Sequence, residues 1–257
     1  MGTQLKHPAG NFCWFELTTS DQKAATEFYT KLFGWNNVDN PLGDGGVYTM
    51  LRLDDKDVGA LYQPGPEHPA APPHWAAYVA VESADETAAK VTELGGEVIL
   101  PAFDVFDVGR MAAFKDPTGA ILFLWQPKAH LGADLVNAPG AACWVELMTG
   151  DAAKAKAFYT ELFGWSTKES EFMEYTEWIN GGQPIGGMMP MKGEEFAGVP
   201  PHWLVYFMVN DVDATTAMAK ELGGNIHVPP TDIPKTGRFS LLQDPQSAYF
   251  AVFKLAM

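Results

Sequence analysis

The 257-residue sequence has little cysteine and little positive charge. Its two cysteines, Cys13 and Cys143, are too few for a disulfide framework, and both lie in apolar strand patterns, so we expect small buried packing residues. The chain has 17 Lys and Arg residues against 32 Asp and Glu residues, a formal net charge of −15. Such a charge repels phosphate backbones and anionic membrane surfaces. We therefore expect no nucleic acid among its partners.

Long hydrophobic runs, targeting signals and common catalytic motifs are also absent. No apolar run approaches the roughly 18 residues that span a bilayer, so we expect no membrane partner. Residues 1–7 contain no apolar signal region, which predicts a cytoplasmic protein by default. The sequence lacks several common catalytic motifs, namely a GxGxxG loop, a Walker A loop, GxSxG, HExxH and paired CxxC. We therefore do not expect the chemistries that depend on these motifs.

The sequence does contain enough apolar residues for a core, and it repeats itself. Apolar residues make up 47% of the chain, which excludes disorder. Residues 13–17 (CWFEL) recur as 143–147 (CWVEL), and residues 28–35 (FYTKLFGW) recur as 158–165 (FYTELFGW), both at one common offset. Four shorter motifs recur at a slightly smaller offset: PPHW at 72–75 and 200–203, ELGG at 93–96 and 221–224, GR at 109–110 and 237–238, and DP at 116–117 and 244–245.

The repeat predicts two copies of one domain, over residues 8–128 and 139–257. The small difference between the two offsets is what a change in the length of a surface loop produces. The linker is expected near residues 128–139, where His130 and Gly132 interrupt the periodicity.

Each copy divides again into two βαβββ modules. Residues 12–18 alternate as a strand, and residues 21–33 show helical spacing between a capping Asp21 and a terminating Gly34. Short strand-like runs separated by turn residues follow. The further predicted elements are strands near 36–39, 47–53, 57–63, 74–81, 97–100, 110–115, 120–126, 143–148 and 202–209, and helices near 84–94, 151–163 and 212–222. This order predicts an α+β fold.

These motifs carry a family resemblance that covers nearly the whole chain. Paired βαβββ modules with FYxxLFGW ending the first helix, LGG ending the second and a DP turn before the last strand resemble the glyoxalase, bleomycin-resistance and ring-cleavage dioxygenase superfamily, also called vicinal oxygen chelate proteins. Tandem domains with PPHW and GR look like an actinobacterial type that includes a mycobacterial culture-filtrate antigen and proteins labelled hydroxylases. The resemblance implies two tandem glyoxalase-like domains, each an open cup-shaped sheet with helices outside and a ligand or metal inside.

Strand alternation predicts which side chains face the cup. Cys13, Phe15 and Leu17 form a wholly apolar face for the helix to cover, which leaves Trp14 and Glu16 on the concave face. The same alternation predicts these ligand-binding residues: Trp14, His74, Tyr78, Phe123 and Trp125 in the first copy, and Trp144, His202, Tyr206, Tyr249 and Phe253 in the second. Their rings could bind a flat or apolar ligand, or they could simply fill a core.

The resemblance also locates where metal-dependent members hold their ion. By this resemblance, the metal-ligand positions of those members correspond to Trp14, Ala76 and Phe123 in the first copy and to Trp144, Leu204 and Ala251 in the second. None of these residues supplies the oxygen or nitrogen donors that divalent ions need. We expect no metal and no other cofactor. His74 and His202 lie two residues earlier and are expected to bond to backbone instead.

Glu16 and Glu146 are the candidate catalytic residues. A carboxylate that faces inward beside tryptophan has a raised pKa unless a donor satisfies it, and it could then act as a general base. The alternative is a structural Glu held by Tyr78 or Tyr206, by Arg110 or Arg238, or by loop amides. We expect the two arginines to pair with these carboxylates and not with an anionic ligand.

Two main functional hypotheses follow. The first is a metal-free glyoxalase-like protein that binds a small aromatic or apolar metabolite or natural product in one or both cups. The second is an enzyme of the glyoxalase, lyase or hydroxylase-associated type that uses Glu16 or Glu146 as acid or base, and that is not a typical metal-dependent glyoxalase or extradiol dioxygenase. In a third, one copy binds while the other is scaffold. We expect a small-molecule ligand and either a monomer with an internal pseudo-dimer or a homodimer.

Overall fold

The computed structural model describes residues 7–43, 46–65 and 72–256. The first copy contains these elements: β1 (Phe12–Thr18), α1 (Gln22–Phe33), β2 (Asn36–Pro41), β3 (Val47–Leu53), β4 (Lys56–Tyr62), β5 (His74–Ala80), α2 (Ala84–Glu93), β6 (Glu97–Val105), β7 (Gly109–Lys115) and β8 (Ile121–Pro127). The predicted order of two βαβββ modules is confirmed for this copy.

The second copy repeats the order. Its elements are β9 (Ala142–Thr149), α3 (Ala152–Phe163), β10 (Ser166–Glu169), β11 (Thr176–Asn180), β12 (Gln183–Pro190), a 3₁₀ turn (Glu194–Phe196), β13 (His202–Met208), α4 (Val212–Glu221), β14 (Asn225–Ile233), β15 (Gly237–Gln243) and β16 (Tyr249–Leu255). Over the described ranges, no helix is both long enough and apolar enough to cross a membrane.

The strands form two eight-stranded sheets, one for each copy. The strand order is β2-β3-β4-β1-β5-β8-β7-β6 in the first sheet and β10-β11-β12-β9-β13-β16-β15-β14 in the second. In each module the first and last strands pair in parallel, namely β1 with β4, β5 with β8, β9 with β12 and β13 with β16. The other neighbours within each module pair antiparallel. The fold is therefore α+β, with two tandem domains of the expected kind.

Local sequence signals define the helix ends. The Asp21 side chain accepts from the backbone N of Ala24 at 3.0 Å, and Gly34 ends α1 with a φ of 72°. Asp151 and Gly164 do the same for α3. β6 is longer than the predicted 97–100. Two bulges interrupt its pairing with β7, so the side-chain alternation that would have revealed its full length is lost.

The described chain divides into two compact units, each of which combines parts of both copies. Unit 1 comprises the residues up to Trp14, Ala77–Gly132 and Trp144–Leu204. Unit 2 comprises Phe15–Ala76, Ala133–Cys143 and the residues from Val205 onward. The boundaries 8–128 and 139–257 refer to copies of the sequence and stay a prediction.

In unit 2, three of the repeated motifs meet in one buried network. The Trp75 indole donates to the Tyr29 hydroxyl at 2.9 Å, and this hydroxyl donates to Asp244 Oδ2 at 3.0 Å. Tyr29 belongs to the FY pair, Trp75 to PPHW and Asp244 to the DP turn. The contact with Tyr29 places the Trp75 indole against α1. Burial, and then the charge of Asp244, raises the pKa of Tyr29 well above its ordinary value.

Unit 1 contains the equivalent network from the other members of each motif pair. The Trp203 indole donates to the Tyr159 hydroxyl at 3.1 Å, and Tyr159 donates to Asp116 Oδ2 at 2.9 Å. Asp116 Oδ1 also accepts from the backbone N of Thr118 and Gly119. Each network joins one DP turn to the helix and strand of the other copy. The repeated motifs therefore have equivalent structural roles in the two networks.

Candidate functional site

Three of the predicted binding residues lie together in unit 1, and a fourth, Trp14, is connected to them through the ring of His130. Tyr78 on β5 lies opposite Phe123 on β8, with ring centroids 4.8 Å apart, and the Trp125 ring lies 6.5 Å from that of Tyr78. Tyr78 and Trp125 are buried, whereas Phe123 is half-buried. Alternation along β5 and β8 predicts that these three rings share a face, and they do. We call Trp14, Tyr78, Phe123 and Trp125 the aromatic face.

The linker adds a residue to this face that the sequence did not predict. The His130 ring lies 4.4 Å from the Trp14 ring at an interplanar angle of 88°, and 5.8 Å from the Trp125 ring. The Trp125 indole also donates to the His130 carbonyl at 2.9 Å. A single histidine in a linker carries no periodic signal, so only the tertiary structure could place it here.

The glycine of each GR motif makes room for an aromatic ring. A Cβ added at Gly109 would collide with the Trp125 indole, and one added at Gly237 would lie 2.8 Å from the Phe253 ring. Each ring therefore lies directly over a backbone that carries no side chain. This close approach explains why glycine occurs at the same place in both copies.

The arginine of each GR motif does not pair with the inward glutamates, so that prediction is wrong. Arg110 hydrogen-bonds Asp85 at 2.7 and 2.9 Å and lies 3.4 Å from Asp104. Arg238 likewise pairs with Asp213 and Asp232. The hydrogen bond from Arg110 holds the pKa of Asp85 below its ordinary value. Both arginines pair with nearby surface carboxylates, where solvent limits the energy of the ion pairs.

Glu16 pairs with a tyrosine in unit 2. Its side chain is 9% exposed, and Glu16 Oε2 accepts from the Tyr48 hydroxyl at 2.6 Å. Burial raises the pKa of the neighbouring Tyr62, and the charge of Glu16 raises it further. The Glu16 carboxyl group thus lies in a largely desolvated site and accepts a short hydrogen bond from Tyr48.

Glu146 is held by the equivalent tyrosine in unit 1. The Tyr175 hydroxyl accepts from the Trp144 indole at 2.7 Å and is hydrogen-bonded to Glu146, which is 7% exposed. Burial, and then the charge of Glu146, raises the pKa of Tyr175 well above its ordinary value. Gly187 lies opposite Glu146 in the parallel pairing, and a Cβ there would collide with the Tyr175 hydroxyl. Trp144, Tyr175 and Glu146 therefore form a continuous chain of hydrogen bonds, which we call the relay.

Tyr48 and Tyr175 were absent from the predicted site, although the sequence contains a signal for them. A Tyr-Thr pair occurs at 48–49 and again at 175–176. The recurrence is short and lies beside loops of different sequence, so it does not stand out. Its meaning depends on the contacts with Glu16 and Glu146.

His74 and His202 are bonded to backbone, as predicted. The Nδ1 atom of His74 lies 2.8 Å from the Pro72 carbonyl oxygen, and that of His202 lies 2.9 Å from the Pro200 carbonyl oxygen. Both rings are half-buried. Burial lowers the pKa of His202 below its ordinary value.

The remaining predicted residues of the second copy lie in unit 2. The Tyr206 ring is 6.4 Å from the Phe239 ring, and Phe239 is the antiparallel partner of Phe253. Tyr249 lies at the start of β16, where it is 42% exposed and its ring is 4.7 Å from that of His227. The role of these residues in binding stays a prediction.

The donor set does not fit a divalent metal ion. Among the described residues, no group of three or more His, Cys, Asp or Glu side chains is placed to hold one. Trp14, Ala76 and Phe123 occupy the positions where the resemblance implies ligands. Such an ion needs three or four converging oxygen, nitrogen or thiolate donors.

The cysteines are packing residues, as predicted. Cys13 is fully buried, Cys143 is half-buried, and both are free thiols. Burial raises the pKa of Cys143 to about 12 and raises that of Cys13 as well. Neither forms a thiolate nucleophile at neutral pH.

Comparison with known protein families and sequences gives consistent results. A family model described as "Glyoxalase/Bleomycin resistance protein/Dioxygenase superfamily" matches residues 11–122 and 143–251. A Mycobacterium tuberculosis protein named "Putative glyoxylase CFP32" is 45% identical over 263 residues, covering 100% of this chain and 99% of that protein. "Anthracycline biosynthesis protein DnrV" of Streptomyces peucetius is 37% identical and covers 94% of this chain and 92% of its own length.

Solved structures support the fold alone, because their sequences are distant. The Mn(II)-bound glyoxalase from Novosphingobium aromaticivorans has a TM-score of 0.66 and 16% identity, and the match covers 96% of this chain and 82% of that one. The 2,3-dioxygenase LapB from Pseudomonas sp. KL28 has a TM-score of 0.66 and 15% identity, with 98% and 94% coverage.

Proposed function

Because the chain belongs to the glyoxalase/bleomycin resistance protein/dioxygenase superfamily, we propose that it is a glyoxalase-like protein that binds a small aromatic or apolar molecule without a metal. The single observation that carries this proposal is the aromatic face in unit 1, where Tyr78, Phe123 and Trp125 lie together. Rings offer a large contact area at a low cost in side-chain entropy, so such a face suits a flat ligand.

Each unit also contains a fixed polar pair, which suits a ligand that is oriented through hydrogen bonds. Ligand sites are mostly apolar and carry a few fixed polar groups. Glu16 with Tyr48 in unit 2, and Glu146 with Tyr175 in unit 1, are fixed polar pairs at inward positions of β1 and β9. Within the described part of the chain, the residues at the implied metal positions supply no donors, which supports binding that does not depend on an ion.

One relative supports a fused-ring aromatic ligand. DnrV is named as an anthracycline biosynthesis protein, and anthracyclines are planar fused-ring aromatics. We therefore propose an aromatic natural product or metabolite of this general shape. We further propose a cytoplasmic location. We also propose either a monomer with an internal pseudo-dimer or a homodimer, and light scattering coupled to gel filtration would distinguish these two states.

The test titrates the protein with 1,4-dihydroxyanthraquinone, a neutral three-ring aromatic, and follows quenching of tryptophan emission. Free N-acetyltryptophanamide corrects for absorption by the probe. We expect saturable binding that Phe123→Ala weakens about tenfold, because a ring contact on the aromatic face is lost. Phe106→Ala is the matched control, since Phe106 is in the same unit, lies outside the face and is 74% exposed. The absence of saturable quenching with this probe and a panel of other aromatics would refute the proposal.

A second function is favoured by the relay in unit 1. A buried carboxylate that is oriented by a tyrosine hydroxyl, itself fixed by the Trp144 indole, suits a general acid or base. We therefore propose as the alternative a glyoxalase, lyase or hydroxylase-associated activity that uses Glu146, or Glu16 in unit 2. If turnover of a candidate substrate is found, Glu146→Gln and Glu16→Gln would be assayed separately. Equal rates in both variants and the native protein would exclude these carboxylates as bases.

A further inference from the structure

The linker histidine lies where an aromatic ligand would have to bind. We propose that His130 is a built-in occupant of the aromatic face and that a planar aromatic ligand binds there by displacing its imidazole ring. This inference rests on the proposed function and specifies where the ligand binds and what it displaces.

The His130 ring bridges side chains from two strands of the sheet. Trp14 lies on β1 and Trp125 on β8, and β5 runs between these two strands in the sheet. One imidazole ring contacts both indoles, at centroid distances of 4.4 and 5.8 Å. Trp125 also contacts Tyr78, the ring that β5 contributes to the face. The His130 ring therefore lies across the strands at the aromatic face, and a ligand stacked on these rings would meet it.

The backbone around His130 is anchored on both sides. The backbone N atoms of Lys128 and His130 both donate to the Val108 carbonyl, at 3.1 and 2.9 Å. Farther along, Gly132 has a φ of 107° and lies against β1, where a Cβ would collide with the Cys13 carbonyl. We call residues 128–132 the strap. Because both ends of the strap are anchored, displacement of His130 would take place by rotation of its side chain, with the backbone staying in place.

The ring chemistry indicates the class of ligand. Imidazole is a flat aromatic ring, and its angle of 88° to Trp14 is the edge-to-face arrangement that aromatic pairs prefer. A face that already accepts one flat ring suits another, and a fused-ring molecule offers more contact area than imidazole. Since the ligand must first displace His130, its apparent affinity is reduced according to the fraction of molecules in which the ring occupies the face.

The experiment compares His130→Ala with His130→Phe in the full chain, using 1,4-dihydroxyanthraquinone as the probe. His130→Ala removes the occupant, and we expect it to bind the probe about tenfold more tightly than the native protein. His130→Phe keeps a flat ring against Trp14 and Trp125, and we expect no gain in affinity. Circular dichroism and thermal unfolding would establish that both variants are folded.

A second measurement uses the native protein, so the test does not depend on the variants. Nuclear Overhauser contacts between the His130 ring and the Trp14 and Trp125 rings should disappear when the probe saturates. Contacts that persist at saturation would contradict displacement. The inference would also be overturned if His130→Ala bound the probe no more tightly than the native protein, or if His130→Phe bound it as tightly as His130→Ala.

The outcomes separate this inference from the proposed function. If the native protein binds the probe and His130→Ala leaves the affinity unchanged, the role of His130 is refuted while binding stands. If neither the native protein nor either variant binds any aromatic of the panel, the proposed function fails as well.

Discussion

Replacing Tyr29 with phenylalanine removes one hydroxyl from the centre of unit 2 and leaves two buried partners unsatisfied. The hydroxyl accepts from the Trp75 indole at 2.9 Å and donates to Asp244 Oδ2 at 3.0 Å. The other oxygen, Asp244 Oδ1, keeps its bonds from the backbone N of Gln246 and Ala248. The variant therefore loses a charge-assisted hydrogen bond and a neutral one, and Phe cannot replace either.

We expect Tyr29→Phe to lower the free energy of unfolding by about 2–4 kcal/mol, because buried polar atoms left without partners bear a desolvation penalty. The matched control is Tyr249→Phe, since Tyr249 is 42% exposed and that change should cost less than about 0.5 kcal/mol. Urea denaturation followed by circular dichroism measures both variants. If Tyr29→Phe destabilises the protein no more than this surface control does, the network contributes little to stability and the reasoning is refuted.

Two further predictions concern pH and the relay in unit 1. The pKa values of the buried Tyr29, Tyr159 and Tyr175 are raised, so unfolded chains lose these protons near pH 10 while the folded protein keeps them. The free energy of unfolding should therefore fall as pH rises above about 10. Urea midpoints that stay constant from about pH 9 to about 11 would contradict this prediction. Gly187→Ala should push the Tyr175 hydroxyl away from Glu146 and lower the free energy of unfolding by about 1–3 kcal/mol. The control, Gly150→Ala, should have almost no effect, because its added Cβ meets no atom within 4 Å. Equal urea midpoints for these two variants would contradict the relay.

Much of the fold could be predicted from local patterns. Alternation identified β1 and β5, and the Asp21 and Gly34 signals marked the two ends of α1. These signals are readable because capping and amphipathic periodicity depend on residues a few positions apart. β6 was predicted too short because its bulges remove that periodicity.

The candidate site was predictable only in part. Alternation placed Tyr78, Phe123 and Trp125 on one face, since that depends only on strand geometry. The prediction for Arg110 was wrong because its partners, Asp85 on α2 and Asp104 on β6, come within reach only after the helix packs on the sheet. Tyr48 reaches Glu16 for the same reason, because the two residues lie on different strands and meet only when the sheet forms.

The sequence by itself determined the two copies, the βαβββ order and the faces of the strands, because these follow from short-range periodicity and from direct repetition. Only the tertiary structure showed that each compact unit combines halves of both copies, through networks such as Tyr29 with Asp244. It alone placed His130 on the aromatic face. Such contacts join residues that are far apart in the chain, and packing decides them where no local pattern can.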